Sequence, residues 1–198
     1  AIYHAGPAAL RYPRGPGLGV PLDTEMKELA IGKGEVVQDG TDIAIIAYGH
    51  TVEWAQQVAG KFEKEGVSVA VINARFAKPV DKDLIVKYAL KTRCMITTEE
   101  HSLMGGFGSA VLEALQEEEI FNTRIKCIGL GDIVLEHGSP SIQRKILKLD
   151  PEGMFETIMT FYGAVAKIEA SSNGKKPHSE NGENGKKADT KIKQPLNG

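Results

Sequence analysis

The sequence predicts an α/β fold, in which a mostly parallel five-stranded sheet carries helices on both faces and one antiparallel strand at its edge. Three observations predict it. Strand-like and helix-like patterns alternate through residues 31–166, the strand segment at residues 43–48 is continuously apolar, and glycine or proline separates several of the segments. Continuous apolar runs are typical of parallel strands that are buried on both faces. Strands that alternate with helices are expected to form right-handed crossovers between parallel neighbours.

The strand segments follow one another in a simple order. Residues 31–38 form the first strand, and Asp39-Gly40 is typical of a hairpin turn into the next strand. The first strand is therefore expected to pair antiparallel at an edge of the sheet. The remaining strands are predicted at residues 43–48, 67–72, 94–98 and 125–130.

The helices are predicted from apolar residues at helical spacing and from the signals at helix ends. Apolar residues recur at this spacing through residues 52–62, and Gly66 ends that helix. Asp81 is a suitable N-cap for the second helix, and a third helix follows a glycine-rich loop. Two further helices are predicted where a capping residue precedes a proline, at Ser139-Pro140 and Asp150-Pro151.

Two flanking regions differ in composition from this α/β region. Residues 1–30 are rich in proline and glycine, and within them residues 15–21 cannot hold a helix and are predicted to be a linker. Residues 167–198 contain almost no bulky apolar side chains. Such a segment cannot bury enough surface to offset its ordering entropy, so we expect a disordered basic tail. A solvated extension without a specific role is favoured over a tail that binds an acidic partner.

Length, charge and composition exclude several classes of protein. The chain has 198 residues, of which 41% are hydrophobic, and this suffices for one domain with a sizeable core and extra segments. The formal net charge of −2 does not indicate a nucleic acid or an anionic membrane as a partner. No apolar run approaches the roughly 20 residues of a membrane helix, and no signal peptide is recognised. We therefore expect a cytoplasmic protein, and the start at Ala1 indicates a fragment of a longer chain.

The two cysteines are predicted to be reduced core residues. Cys94 and Cys127 each lie within an apolar strand segment, where a thiol behaves as a small hydrophobic side chain. The chain contains no CxxC pair and no clustered cysteine and histidine spacing, so no metal site is predicted. The histidines with no recognisable ligand spacing are His4, His50 and His178.

The glycine-rich loop Gly105–Ser109 is a candidate phosphate site, because it follows a strand and opens a helix. Its pattern departs from GxGxxG, since Val111 stands where the third glycine belongs, and it lacks the Gly-Lys-Ser/Thr ending of a P-loop. A tight backbone turn is therefore the favoured interpretation, and phosphate binding is the alternative.

Two adjacent glutamates lie at the carboxyl end of the third buried strand, where ligands bind in many open α/β sheets. They are Glu99 and Glu100, and His101 follows them. Consecutive side chains on an extended backbone point to opposite faces, so these carboxylates are not expected to share a proton. An interface or capping role is favoured over acid–base catalysis.

His137 is a candidate general base in the segment Glu136-His137-Gly138-Ser139. The chain contains no GxSxG motif, which argues against a Ser-His-Asp enzyme. Capping of a helix by Ser139 explains the segment without catalysis.

Arg11 and Arg14 are the strongest candidates for binding an anion. They flank a rigid Tyr-Pro pair at the end of a short strand, and Gly15 follows. The planar guanidinium group suits bidentate recognition of phosphate, so one arginine can face a cleft while the other anchors the segment locally. A surface ion pair is the alternative, and the residues alone favour neither interpretation.

Five stretches of the sequence resemble the 1-deoxy-D-xylulose-5-phosphate synthase family of the transketolase superfamily. The Arg-Tyr-Pro-Arg-Gly run at residues 11–15 and the Arg-Phe-Ala-Lys-Pro-Val-Asp run at residues 75–81 are typical of the synthases. The Glu-Glu pair with its glycine loop is shared with β-subunits of 2-oxoacid dehydrogenases. Departures from the family pattern are Gly131-Asp132 in place of Pro-Asp and Thr97-Thr98 in place of Thr-Val. The resemblance spans residues 5–162, with matches at residues 6–15, 31–34, 74–81, 98–109 and 128–139.

This resemblance implies a domain organisation. Residues 1–30 correspond to the end of a central, pyrimidine-binding domain with a linker, and residues 31–166 to a transketolase C-terminal domain with three α/β/α layers. In the family this domain mainly supports a homodimer. The resemblance therefore implies a homodimer as the assembled form.

The resemblance also implies a reaction. The complete enzyme condenses pyruvate with D-glyceraldehyde 3-phosphate, with decarboxylation, to 1-deoxy-D-xylulose 5-phosphate for isoprenoid, thiamine and pyridoxal biosynthesis. Its cofactors are thiamine diphosphate and Mg²⁺, whose ligands lie outside this chain, so the fragment alone is expected to be inactive. Arg14 corresponds to the arginine that binds the phosphate of glyceraldehyde 3-phosphate, and Arg11 is a weaker candidate for that site.

Two alternatives remain open from the sequence. One is another thiamine-diphosphate enzyme, either a transketolase or a 2-oxoacid dehydrogenase β-subunit. The other is a non-catalytic dimerisation module that uses the same fold.

Overall fold

The computed structural model describes residues 1, 3–9, 19, 24–25 and 27–173, and the side chains of the last helix are described as far as residue 168. The chain forms two compact units, Ala1–Ile31 and a larger unit that begins at Gly32. In the first unit, the chain turns near its start, where the backbone amide of Gly6 donates to the carbonyl of His4 at 3.0 Å. The larger unit contains the sheet.

Strands and helices alternate through the larger unit, as the sequence predicted. The strands are β1 (Glu35–Gln38), β2 (Ile43–Ala47), β3 (Val69–Asn73), β4 (Cys94–Ser102) and β5 (Arg124–Leu130). The helices are α1 (Thr51–Lys64), α2 (Lys82–Thr92), α3 (Phe107–Glu117), α4 (Pro140–Ile146) and α5 (Pro151–Asn173).

The five strands form one sheet in the order β1-β3-β2-β4-β5. Strand β1 pairs antiparallel with β3, and the other neighbours are parallel. The predicted α/β fold with one antiparallel edge strand is therefore confirmed. Strand β2 lies at the centre, and all five of its residues are buried, in agreement with its continuous apolar sequence.

Two apolar cores lie on opposite faces of the sheet, because alternate residues of each strand point to opposite sides. On one face, Ile43 and Ile45 pack against apolar residues of α1 and α5, including Phe62. On the other face, Ala44 and Ile46 pack with apolar residues of α2 and α3. The helices on both faces complete three α/β/α layers.

The predicted hairpin between the first two strands is wrong. Strand β1 pairs with β3, and both edges of β2 are occupied by its parallel neighbours β3 and β4. Gly40 instead passes close to the chain at the start of β3, where an added Cβ would lie 2.3 Å from the backbone nitrogen of Ala70. The Asp-Gly pair therefore marks a close backbone approach, which only glycine allows, and not a two-residue turn.

Asp39 has a role of its own beside this approach. Its Oδ1 accepts hydrogen bonds from the Lys91 ammonium at 2.6 Å, the Tyr88 hydroxyl at 2.8 Å and the Gly40 amide at 2.9 Å. These donors, Lys91 first, lower the pKa of Asp39 to about 2. The loop before β2 is thus joined to α2 through polar contacts.

The helix starts follow the capping signals in the sequence. Asp81 accepts from the Leu84 amide at 3.2 Å and Ser139 from the Ile142 amide at 3.4 Å. Asp150 accepts from the Gly153 amide at 3.1 Å, just before the last helix. These three N-caps were predicted from the residue types, and the structure confirms them.

The last helix is longer than predicted. Helix α5 continues to Asn173, so residues 167–173 are helical where the sequence predicted the start of a disordered tail. Composition alone underestimated the length of this helix. Once the first turns of a helix are formed and packed, each further residue costs little free energy. Residues 174–198 of the predicted tail lie outside the described part of the chain.

Candidate functional site

The strand order reverses between β2 and β4. The chain passes from β2 through α1 to β3 on one side, and β4 lies on the other side of β2. In open α/β sheets, ligands bind in the crevice outside the carboxyl ends of the strands at such a reversal. The residues that follow β2 and complete β4 are therefore the candidate site.

Two threonines fill one part of this crevice. The Oγ1 of Thr51 lies 2.9 Å from the carbonyl oxygen of Thr98, and the Thr98 hydroxyl lies 2.8 Å from the same Oγ1. The backbone amide of Tyr48 donates to the Thr98 carbonyl at 2.9 Å. Both threonine side chains are buried. These contacts tie the ends of β2 and β4 together.

A glutamate fills the other part. Glu99 has 0% exposure, and its two carboxylate oxygens accept hydrogen bonds from the amides of Phe107 at 2.7 Å and Gly108 at 2.8 Å. These amides belong to the first turn of α3, where they have no partner within the helix. The negative charge also lies at the positive end of the helix dipole. The favoured capping role of Glu99 is therefore confirmed.

The glycine loop is a tight turn built around this carboxylate. A Cβ on Gly106 would lie 2.5 Å from Glu99 Oε2 and 2.0 Å from the carbonyl oxygen of Ser102. A Cβ on Gly108 would lie 2.7 Å from the Oγ1 of Thr97. Only glycine allows the loop to approach β4 this closely. The first α3 amides that a phosphate would use are occupied by Glu99, so the tight-turn interpretation is confirmed.

Glu100 points away from Glu99 and belongs to a separate cluster. The Arg144 Nε donates to Glu100 Oε1 at 2.7 Å, and His50 Nδ1 lies 3.7 Å from Oε2. The Arg144 guanidinium lies over the ring of Trp54, 5.0 Å from its centroid. The two glutamates therefore face opposite sides, as predicted, and do not share a proton. Sequence reasoning missed this cluster, because its members come from three segments that are far apart along the chain.

An open cleft of about 490 Å³ adjoins the glycine turn on the face of the sheet that α2 and α3 cover. Its lining includes Tyr48, Lys78, His101 and Met104. The Tyr48 ring stacks on Phe107 with centroids 5.3 Å apart and lies 5.9 Å from the His101 ring. Among the described residues, Lys78 forms no ion pair. The cleft thus has groups that can bind a ligand, but its described lining shows no nucleophile held by a base.

The remaining candidate residues are scattered. Ser139 caps α4, as predicted, and His137 is exposed with no acid–base partner among the described residues. Cys94 and Cys127 are in no disulfide, as predicted, but only Cys94 is buried in the core, and Cys127 is half-buried on β5. The described residues contain no group of three or more histidine, cysteine or acidic side chains that could hold a metal ion. No helix in the described part of the chain is long and apolar enough to cross a membrane.

The two arginines that were the strongest candidates for binding an anion lie outside the described residues. These are Arg11 and Arg14. The anion site therefore stays a prediction from the sequence. His178 lies outside the described residues as well, and His4 lies in the turn of the first unit.

Comparisons with known proteins agree on one family. Residues 32–154 match the family model described as transketolase, C-terminal domain. The 1-deoxy-D-xylulose-5-phosphate synthase 1 of Geobacter sulfurreducens is 46% identical over 164 residues, which are 83% of this chain and 26% of that protein. The 1-deoxy-D-xylulose-5-phosphate synthase of Thermosynechococcus vestitus is 51% identical over 162 residues, which are 81% of this chain and 25% of that protein.

A solved structure shows the same fold. It is a split-gene transketolase, described as an inactive β4 tetramer, and it superposes with a TM-score of 0.64 at 30% identity. The superposition covers 69% of this chain and 44% of that chain. Compared with the two synthases, the chain spans about a quarter of their length.

Replacing Glu99 tests whether its carboxylate holds the turn. We expect Glu99→Gln to lower the free energy of unfolding by about 2–4 kcal/mol, because an amide cannot accept from both buried backbone donors. Urea unfolding at pH 7 measures the change. The control is Glu100→Gln, which weakens a half-buried ion pair with Arg144 and is expected to cost about 1 kcal/mol or less. Equal losses in the two variants would contradict the role of Glu99.

Proposed function

This chain belongs to the transketolase C-terminal domain family, and we propose that it is the C-terminal part of a 1-deoxy-D-xylulose-5-phosphate synthase. The observation that carries the proposal is the identity of 46% and 51% with two synthases over more than four-fifths of the chain. The split-gene transketolase is only 30% identical to this chain over the superposed residues. The difference in identity favours a synthase over a transketolase.

The complete protein would condense pyruvate with D-glyceraldehyde 3-phosphate and release carbon dioxide. The product, 1-deoxy-D-xylulose 5-phosphate, serves the biosynthesis of isoprenoids, thiamine and pyridoxal. The whole enzyme is proposed to be a cytoplasmic homodimer. Thiamine diphosphate supplies the electron sink for decarboxylation when it is bound, with Mg²⁺ as its metal.

The described residues do not fit this cofactor. A diphosphate is bound by backbone donors, by basic side chains or through a metal, and the first α3 amides already donate to Glu99. The described residues also contain no cluster that could hold a metal ion. We therefore propose that the cofactor binds outside the described part of this chain, and no chemical step is assigned to the residues of the sheet.

Arg14 is proposed to bind the phosphate of glyceraldehyde 3-phosphate. Its guanidinium group can form two parallel hydrogen bonds to phosphate oxygens, which fixes the orientation of the substrate as well as its position. Holding a phosphate that does not react places the aldehyde at the reacting carbon, so binding energy is converted into rate. Arg11, three residues earlier, is proposed to anchor the segment.

The activity of a chimera tests the proposed function. The C-terminal quarter of the Thermosynechococcus vestitus synthase is replaced by this chain, to which it is 51% identical. We expect the purified chimera to form 1-deoxy-D-xylulose 5-phosphate from pyruvate and glyceraldehyde 3-phosphate, because the replaced part keeps its fold and its phosphate-binding arginine. Product formation is followed by mass spectrometry. A folded chimera that forms none, or that transfers a ketol group between sugar phosphates instead, would contradict the proposal.

The role of Arg14 is tested in the same chimera. We expect Arg14→Ala to lower kcat/KM for glyceraldehyde 3-phosphate by roughly 10- to 100-fold, because a charged hydrogen bond contributes about 1.5–3 kcal/mol. The KM for pyruvate should change less than about twofold, because pyruvate carries no phosphate. Steady-state kinetics with each substrate varied in turn separate the two effects. Arg11→Ala is the matched control, and unchanged kinetics for the acceptor in Arg14→Ala would rule out the assignment.

A further inference from the structure

Helix α4 and the loop before it expose an unusual amount of apolar surface. The exposed fractions are 98% for Val134, 71% for Ile146 and 58% for both Ile133 and Ile142. Helix α4 contains no buried residue. These four side chains, which we call the α4 surface, lie within a segment of fourteen residues, from residue 133 to residue 146. Contiguous apolar patches on a soluble protein are typical of interaction sites.

The orientation of α4 is the reverse of an ordinary surface helix. Ile142 and Ile146 are four residues apart and therefore lie on one side of the helix. Arg144 lies between them in sequence, about 200° around the helix axis from Ile142. Its guanidinium group faces the body of the domain, where it contacts Glu100 and Trp54. The polar side of α4 thus faces the domain and the apolar side faces solvent.

Specific contacts hold α4 in this orientation. Besides the ion pair of Arg144, the Gln143 side-chain amide donates to the carbonyl of Glu136 at 2.9 Å and fastens the preceding loop to the helix. Ser139 caps the first turn. A helix of only seven residues is not stable by itself in water. The fold therefore stabilises, through polar contacts, a short helix whose apolar side has no partner among the described residues.

The charges around the α4 surface indicate a protein as its partner. Asp132 and Glu136 lie in the loop, and Lys145 lies on the helix, all of them exposed. An amphipathic helix that binds an anionic membrane carries mainly basic residues on its polar side. A rim with both signs of charge around an apolar centre is the composition of an interface between proteins or domains.

We propose that the α4 surface is the face on which this domain docks against the preceding domains of the longer protein. The inference rests on the proposed function, which makes this chain the last quarter of a synthase. The match covers 26% and 25% of two synthases, so about three-quarters of each lies outside it. In the solved split-gene transketolase, more than half of the chain also lies outside the match. In these relatives, the part of the protein outside the match is larger than this domain. It is therefore large enough to cover such a surface.

Hydrogen exchange in the chimera tests this docking. The amides of residues 133–146 are compared between the 198-residue chain and the full-length chimera described above. We expect them to exchange at least tenfold more slowly in the chimera, because docking would shield the loop and α4. Ile142→Ser/Ile146→Ser should abolish this protection in the chimera and leave the thermal midpoint of the separate chain unchanged, since both side chains are exposed there.

Matched controls and a second variant keep the test decisive. Leu90→Ser/Phe121→Ser changes two side chains that are 51% and 68% exposed on other parts of the domain, and it should leave the protection intact. Val134→Ser should weaken the protection without touching α4 itself.

Three outcomes would overturn the docking. One is equal exchange in chain and chimera. The second is protection in the separate chain that grows with concentration, which would assign the surface to a second copy. The third is a chimera whose C-terminal part melts at the temperature of the separate chain. A chimera in which residues 133–146 are protected from hydrogen exchange, but which forms no product, would instead overturn only the proposed function.

Discussion

The buried carboxylate of Glu99 joins the end of β4 to the first turn of α3. It has no contact with water, yet both of its oxygens accept backbone hydrogen bonds at 2.7 and 2.8 Å. A charge in the interior is stable only when it is paired or fully hydrogen-bonded, so this arrangement constrains everything around it. The loop must contain glycines at 106 and 108, because a side chain there would collide with β4 or with the carboxylate itself.

This internal cap also determines what the domain can do. A doubly wound sheet usually binds its ligand where the strand order reverses, and here Thr51, Thr98 and Glu99 fill the inner part of that place, beside the open cleft. The chemistry of a synthase is therefore proposed to lie elsewhere in the longer protein. What the described residues present instead is surface: an open cleft beside His101, and an α4 helix with its apolar side outward. Both features suit a domain that is held against others.

The sequence allowed the strands and helices to be predicted, but not which strands lie next to each other in the sheet. The continuous apolar run of β2 and the N-caps Asp81 and Ser139 are local signals, and the structure confirms each of them. The partner of β1 depends on which strands cover the edges of β2, and that is decided by crossovers across the whole sheet. The Asp39-Gly40 pair satisfied a local rule for hairpins while its actual role is a contact with residues far along the chain.

The site could be predicted only in part, for the same reason. The opposite orientation of two consecutive glutamates follows from strand geometry, and the glycine loop was recognisable as a tight turn. The ion pair of Glu100 with Arg144 joins residues 44 positions apart, and a single sequence contains no signal for such a pair. The phosphate-binding role of Arg14 came from a family resemblance and still awaits a test.

Glu99 fills the anion position at the start of α3, so an added anion should find no site there. Nitrogen-15 NMR of the chain during titration with inorganic diphosphate tests it most directly. We expect the amide resonances of Phe107 and Gly108 to stay in place up to millimolar diphosphate, because their protons already point at a carboxylate. A saturable shift of these two resonances would contradict it.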